Sequence, residues 1–143
     1  MWTCPRCDRT FGAKRSHVCE PGMPIEVWLA ERPDGQRRAA EAVLAHLRRH
    51  RDLVIEAVGV GILVKRERSI IEMRPKTKWL DLSFISPVAI TSPKIAREVS
   101  WPAGRAYFVH LRDKADVDAD LRRWLTGAVS GASGRRRARG SRA

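Results

Sequence analysis

The chain has 143 residues, room for one ordinary domain and a small appendage, and its 43% apolar content allows one buried core. That composition excludes a chain disordered throughout. The formal charge of +12 is unevenly spread: Arg135, Arg136, Arg137, Arg139 and Arg142 form an acid-free tail, residues 1–20 carry a net +2, and the middle holds only +5. So modest a surplus does not by itself mark the folded part as shaped by a polyanion.

No secretory leader is legible at the N-terminus. The longest apolar run, Ala57–Val64, is too short to cross a bilayer and contains Gly59 and Gly61. All three cysteines fall in the first nineteen residues. An odd number cannot be fully paired as disulfides, whereas one metal ion can use every thiol. The expectation is a cytoplasmic protein without a membrane segment.

Residues 1–20 read as a metal module. Cys4-Pro-Arg-Cys7 is the usual first half of a zinc site, two thiolates from one tight turn, and His17 and Cys19 supply the second half. A two-residue step suits an extended or tightly turned segment, because residues i and i+2 of a helix point apart. Trp2 and Phe11 are the natural small core beside the metal. Four protein ligands leave no open position, so the predicted zinc is structural. The competing set, Cys4 and Cys7 with His46 and His50 at i and i+4 of a helix, would strand His17 and Cys19.

Residues 21–35, rich in Pro and Gly, read as a linker that docks Ile25, Val27, Trp28 and Leu29 onto the next domain. Ala40, Val43, Leu44 and Leu47 recur at helical spacing within 36–49. Short strands follow over 53–58, 62–65, 69–73 and 79–85, then over 97–101 and 106–111. Gly59-Val60-Gly61 interrupts the first two as a turn or bulge. Asp116 or Asp118 opens a final helix whose apolar stripe is Val117, Leu121, Trp124, Leu125 and Ala128. Strands joined by turns of two to four residues must be antiparallel neighbours. The fold class expected is therefore α+β. A zinc knuckle (1–20) and a linker (21–35) precede an α+β domain (36–130), one antiparallel sheet with two helices packed on one face. A disordered Arg-rich tail (131–143) ends the chain.

Trp2-Thr-Cys-Pro-x-Cys-x-Arg-x-Phe11 with Ser16-His-Val-Cys19 resembles the knuckle of many actinobacterial proteins that carry a domain of unknown function 5655. Glu56–Lys65, Trp79–Phe84 and Asp118–Leu125 are similar to that domain's central strands and closing helix. The resemblance covers residues 2–128 and implies a compact α+β fold. It brings no activity and no catalytic residues.

Polar residues embedded in the apolar strands are the remaining candidates for chemistry. Glu56, Lys65, Asp81 and His110 could converge on a small polar ligand or act as an acid–base set, although strand alternation alone also accounts for Asp81 and His110. Gly59-Val60-Gly61 lacks the Gly-Lys-Ser/Thr ending of a phosphate loop, no nucleophile elbow is present, and no thiol is left over, so these motifs give an enzyme no support and the balance leans toward a binding protein. Arg66, Arg68, Arg74, Lys76 and Lys78 cluster along one hairpin and its turns. With Arg135, Arg136, Arg137 and Arg139 of the tail and the basic knuckle they suggest phosphate contacts to nucleic acid. The α+β domain would then hold a further protein or small-molecule partner.

Overall fold

The computed structural model describes residues 1–131 apart from 15, 18 and 103, and of 132–141 the backbone alone. The chain folds as α+β: a small Cys/His knuckle with its own two-stranded sheet, then a seven-stranded antiparallel sheet with helices on one face.

In the knuckle β1 (Trp2–Thr3) pairs with β2 (Thr10–Phe11). The large sheet comprises β3 (Gly22–Met23), β4 (Val54–Val58), β5 (Gly61–Arg66), β6 (Arg68–Pro75), β7 (Leu80–Ser86), β8 (Ile95–Trp101) and β9 (Gly104–Leu111). Its helices are α1 (Ile25–Ala30), α2 (Asp34–Leu47) and α3 (Ala119–Ser141), with a 3-10 turn at Lys114–Asp116.

Alternation sets the two faces of the sheet. Leu80, Leu82 and Phe84 of β7 point inward with Ile71 and Met73 of β6 and Ile62 and Val64 of β5, all buried in one cluster. Against them α2 sets Ala40, Val43, Leu44 and Leu47, the predicted stripe, and α3 sets Leu121, Leu125 and Ala128. Leu121 N donates to Asp118 Oδ1 at 2.9 Å, so Asp118 caps α3.

Three details differ from expectation. The segment expected to be a linker is built into the domain: β3 pairs with β4, and α1 buries Trp28 completely. Of its four apolar residues Val27 does not dock, being 46% exposed, because one turn of a short helix must face water. The strand order is β3-β4-β5-β6-β7-β9-β8, so β7 and β8 are consecutive but not neighbours. Their connection, residues 87–94, is longer than a hairpin turn and lets β9 return between them. Tyr107, buried beneath that connection, accepts from Ile90 N at 2.9 Å and holds it down.

The expected disordered tail falls, beyond Gly131, outside the described side chains, as do Arg135, Arg136, Arg137 and Arg139. No helix among the described residues is long and apolar enough to cross a membrane.

Candidate functional site

The outer face of the sheet, away from the helices, carries the chemistry. The knuckle sits at its β4–β5 end. Between β1 and β2 the chain turns tightly: Asp8 N donates to Cys4 O at 2.8 Å and Cys4 N to Arg9 O at 2.9 Å. Asp8 takes a left-handed conformation at φ 60°, which aspartate tolerates better than most residues. This turn buries both thiols and aims them at His17 and Cys19, which lie outside any helix or strand.

The ligand atoms of Cys4, Cys7, His17 and Cys19 all lie within 4.8 Å of one another, a set able to hold one metal ion. Cys4 Sγ is 3.7 Å from Cys19 Sγ, and Cys7 Sγ is 3.5 Å from His17 Nε2. Phe11 and Trp2 pack beside the cluster, the Phe11 ring 4.3 Å from His17. The backbone N–H of Cys7 lowers the Cys4 thiol to about 6, while the hydrogen bond with Cys4 pushes Cys19 up to about 11. Thiolates this close repel, so a cation is what allows them to be charged together. The rival set does not form: His46 Nε2 is 3.0 Å from Thr126 Oγ1 of α3, and burial holds His46 below its usual range.

Arg9 follows directly from this turn and is only 9% exposed. Its Nε and Nη2 donate to Glu56 Oε2 at 2.8 and 2.5 Å, and Lys65 Nζ lies 2.9 Å from Glu56 Oε1. Burial pushes the Glu56 carboxyl up, but the bonds from Lys65 and Arg9 outweigh it and hold the group below the usual carboxylate range. The Lys65 ammonium also lies 4.8 Å from the Phe11 ring. A second tie comes from Glu20, whose Oε2 accepts from Val60 N at 3.0 Å beside Gly59, where a Cβ would come within 2.5 Å of it. The anion that approaches backbone at Gly59-Val60-Gly61 is thus the chain's own carboxylate. Glu56 and Lys65 form the dock for the knuckle, with a cleft of about 420 Å³ beside it.

Asp81 and His110 face each other across β7 and β9, on the same face but beyond β6. The four sequence candidates therefore lie in two separate pairs. Asp81 and His110 line an open groove of about 1130 Å³ together with Lys76, Lys78, Trp79 and Arg97. His110 stacks on Trp79 with centroids 4.1 Å apart and planes 19° from parallel. The Arg112 guanidinium is 5.4 Å from the Trp79 ring, and that of Arg97 is 4.0 Å from Phe108. Among the described residues Asp81 Oδ1 is buried without a hydrogen-bond partner, His110 Nε2 standing 3.9 Å away.

The basic hairpin divides along its length. Lys76 and Lys78 sit at the groove end of β6. Arg66 and Arg68 flank the turn at its other end, roughly 25 Å off at the strand rise. Arg66 Nη2 donates to Arg51 O at 2.8 Å, and Arg74 Nε to Glu72 Oε2 at 3.2 Å.

Sequence reasoning missed Arg9 as a docking residue and Arg97 and Phe108 as groove residues. Phe108 is recoverable from alternation, since it shares a strand face with His110 two residues on. No local signal marks Arg97 or Arg9. Comparison with known proteins leaves the fold and site to be judged on their geometry: no family model, curated protein or solved structure matches the chain.

Proposed function

We propose that this is a zinc-stabilised, non-enzymatic binding protein that contacts nucleic acid through the groove on its open sheet face. One observation carries the nucleic-acid reading: cations with no carboxylate partner among the described residues share that groove with aromatic rings. Lys76, Lys78 and Arg97 line it with Trp79, Phe108 and His110, and Arg112 stands at its edge, 5.4 Å from the Trp79 ring. Cations neutralise phosphates, and rings and guanidinium planes receive bases. Arg9 turns inward to Glu56, which takes one knuckle charge away from any outer surface.

Zinc is the metal the donor set favours. Tetrahedral zinc with sulfur at ~2.3 Å and nitrogen at ~2.0 Å has S–S and S–N edges of about 3.8 and 3.5 Å. Two of the six separations, 3.7 and 3.5 Å, match those edges, and all six lie within 4.8 Å. All four positions are protein ligands, so the ion is structural, and its three thiolates call for a reducing compartment such as the cytoplasm. Membership of the domain of unknown function 5655 family remains part of this proposal, resting on the knuckle and strand motifs.

Against a small-ligand or acid–base site built from Glu56, Lys65, Asp81 and His110 stands their division between two clefts. Glu56 and Lys65 are moreover spent on docking the knuckle.

The test is fluorescence polarisation with labelled DNA and RNA oligonucleotides. Binding should fall steeply between 50 and 200 mM salt. It should weaken when Lys76, Lys78 and Arg97 are changed together to Ala, and again when residues 134–143 are removed. No affinity at low salt would refute the reading. Metal analysis should find one zinc per chain, lost on Cys4→Ser or Cys19→Ser.

A further inference from the structure

We propose that the groove is a guanine site, in which Asp81 accepts the two adjacent N–H donors of an unpaired guanine stacked among Phe108, His110 and Trp79. The proposal rests on the nucleic-acid reading and specifies the base.

Asp81 is the reason. It is the acid that lines an otherwise cationic groove, where phosphate binding alone would exclude it. Neither of its oxygens has a hydrogen bond among the described residues, and Oδ1 is buried. Such a carboxylate lacks donors from the chain, and with its side chain 19% exposed it reaches donors in the groove by turning about its Cβ–Cγ bond. Arg97 is occupied over Phe108, and His110 lies flat on Trp79 with Nε2 beyond hydrogen-bond reach.

The chemistry of the bases then narrows the ligand. A carboxylate offers two acceptor oxygens side by side and no donor. Guanine presents two neighbouring donors, N1–H and the 2-amino group, which a carboxylate can take together. Adenine and cytosine place one amino donor beside a ring-nitrogen acceptor, whose lone pair would face the second oxygen. Thymine and uracil place one N–H between two carbonyls. Guanine alone satisfies both oxygens without a clash of lone pairs.

The spacing suits a stacked base. Phe108 and His110 leave β9 on the same face, about 7 Å apart along the strand. That is about two base-stacking steps of ~3.4 Å, so one base fits between their levels. Lys76 and Lys78 at the rim are placed for the adjoining phosphates. A duplex hides the guanine edge in pairing, so the site selects single strands or free guanine nucleotides.

The test uses the full chain with zinc. Labelled dT decamers carrying one central G, A, C or inosine are compared with all-dT and with a duplex, with GMP and AMP as competitors. The G decamer should bind about tenfold tighter than the others. Inosine, which lacks the 2-amino group, should lose most of that gain without any change to the protein. Asp81→Asn should level the decamers while keeping their salt dependence, its fold checked by zinc content and thermal melting. Competition by GMP as strong as by the G decamer assigns the site to free nucleotide; weaker competition assigns it to the strand. Equal, salt-dependent binding of every decamer overturns the guanine site alone. Failure of all decamers and of GMP to bind overturns this inference and the nucleic-acid reading together.

Discussion

Glu56 shows how one side chain can join two parts of a small protein. Its carboxylate sits between a guanidinium from the knuckle and an ammonium from β5, in a contact that hides most of all three groups. Glu56→Gln leaves both cations facing each other with their counter-charge gone, and Arg9 is too buried to recover full hydration. The expected cost is about 2 kcal/mol of docking, roughly a thirtyfold shift toward the detached knuckle. A chelator should extract the proposed zinc correspondingly faster, read as colour development with a metal indicator. Glu56→Asp, which keeps the charge but shortens the arm, should fall between. The Cys/His cluster was legible in the sequence because all four residues lie within sixteen positions and thiol and imidazole groups so spaced restrict the chemistry. Glu56 and Lys65 also stood out, as polar residues in apolar strands. Their role did not, because Arg9 is 47 residues from Glu56 and nothing local in the chain encodes that distance.

At the scale of elements, two glycines that look alike in the sequence should respond in opposite directions. Gly61 opens β5 where a Cβ would stand 2.1 Å from Met73 O, backbone that cannot step aside without breaking the β5–β6 ladder. Gly61→Ala should cost about 3 kcal/mol or more in urea unfolding. Gly127 lies in α3 with nothing within 4 Å of its Cβ position, and Gly127→Ala should stabilise by about 0.5–1 kcal/mol through the greater helix preference of alanine. Strand positions could be read from alternation and the helices from their apolar stripes. The placing of β9 between β7 and β8 could not, because a connection of that length permits either order.

The turn that precedes α3 adds a pH dependence. Asp113 accepts from Arg38 Nε and Nη2 of α2 at 2.9 and 2.6 Å and caps the 3-10 turn through Lys114 N. The bond from Arg38, then that from Lys114 N, hold its carboxyl well below the usual carboxylate range. A carboxyl depressed in the folded state contributes stability above its unfolded pKa and loses it as the pH falls through the folded value. Asp113→Asn should therefore lower Tm at pH 7, and the gap to the parent protein should narrow below about pH 4. A gap unchanged at pH 2 would show that the charge is irrelevant and the cap's shape is everything.

Over the whole molecule, the Cys/His cluster and the groove occupy opposite ends of one sheet face, with β6 between them and the main core behind. The knuckle has a core of its own, Cys4, Cys7 and Phe11 with Trp2, separate from the cluster under the sheet. A loop with so little apolar surface would depend on the proposed metal for its shape, whereas the domain has a full complement of buried aliphatic and aromatic side chains. Removing the proposed metal from the intact chain should consequently release residues 1–20 from Glu56 and Lys65, while the seven-stranded sheet keeps its cooperative thermal transition. Near-UV signals from Trp2 should change, and far-UV circular dichroism should change little. Because the groove lies beyond β6 and, among the described residues, none of those lining it comes from the knuckle, oligonucleotide affinity should stay within about twofold after chelation. Affinity that disappears with the metal would instead make the knuckle part of the binding surface, and would shift weight from Lys76, Lys78 and Arg97 to Arg6 and Lys14.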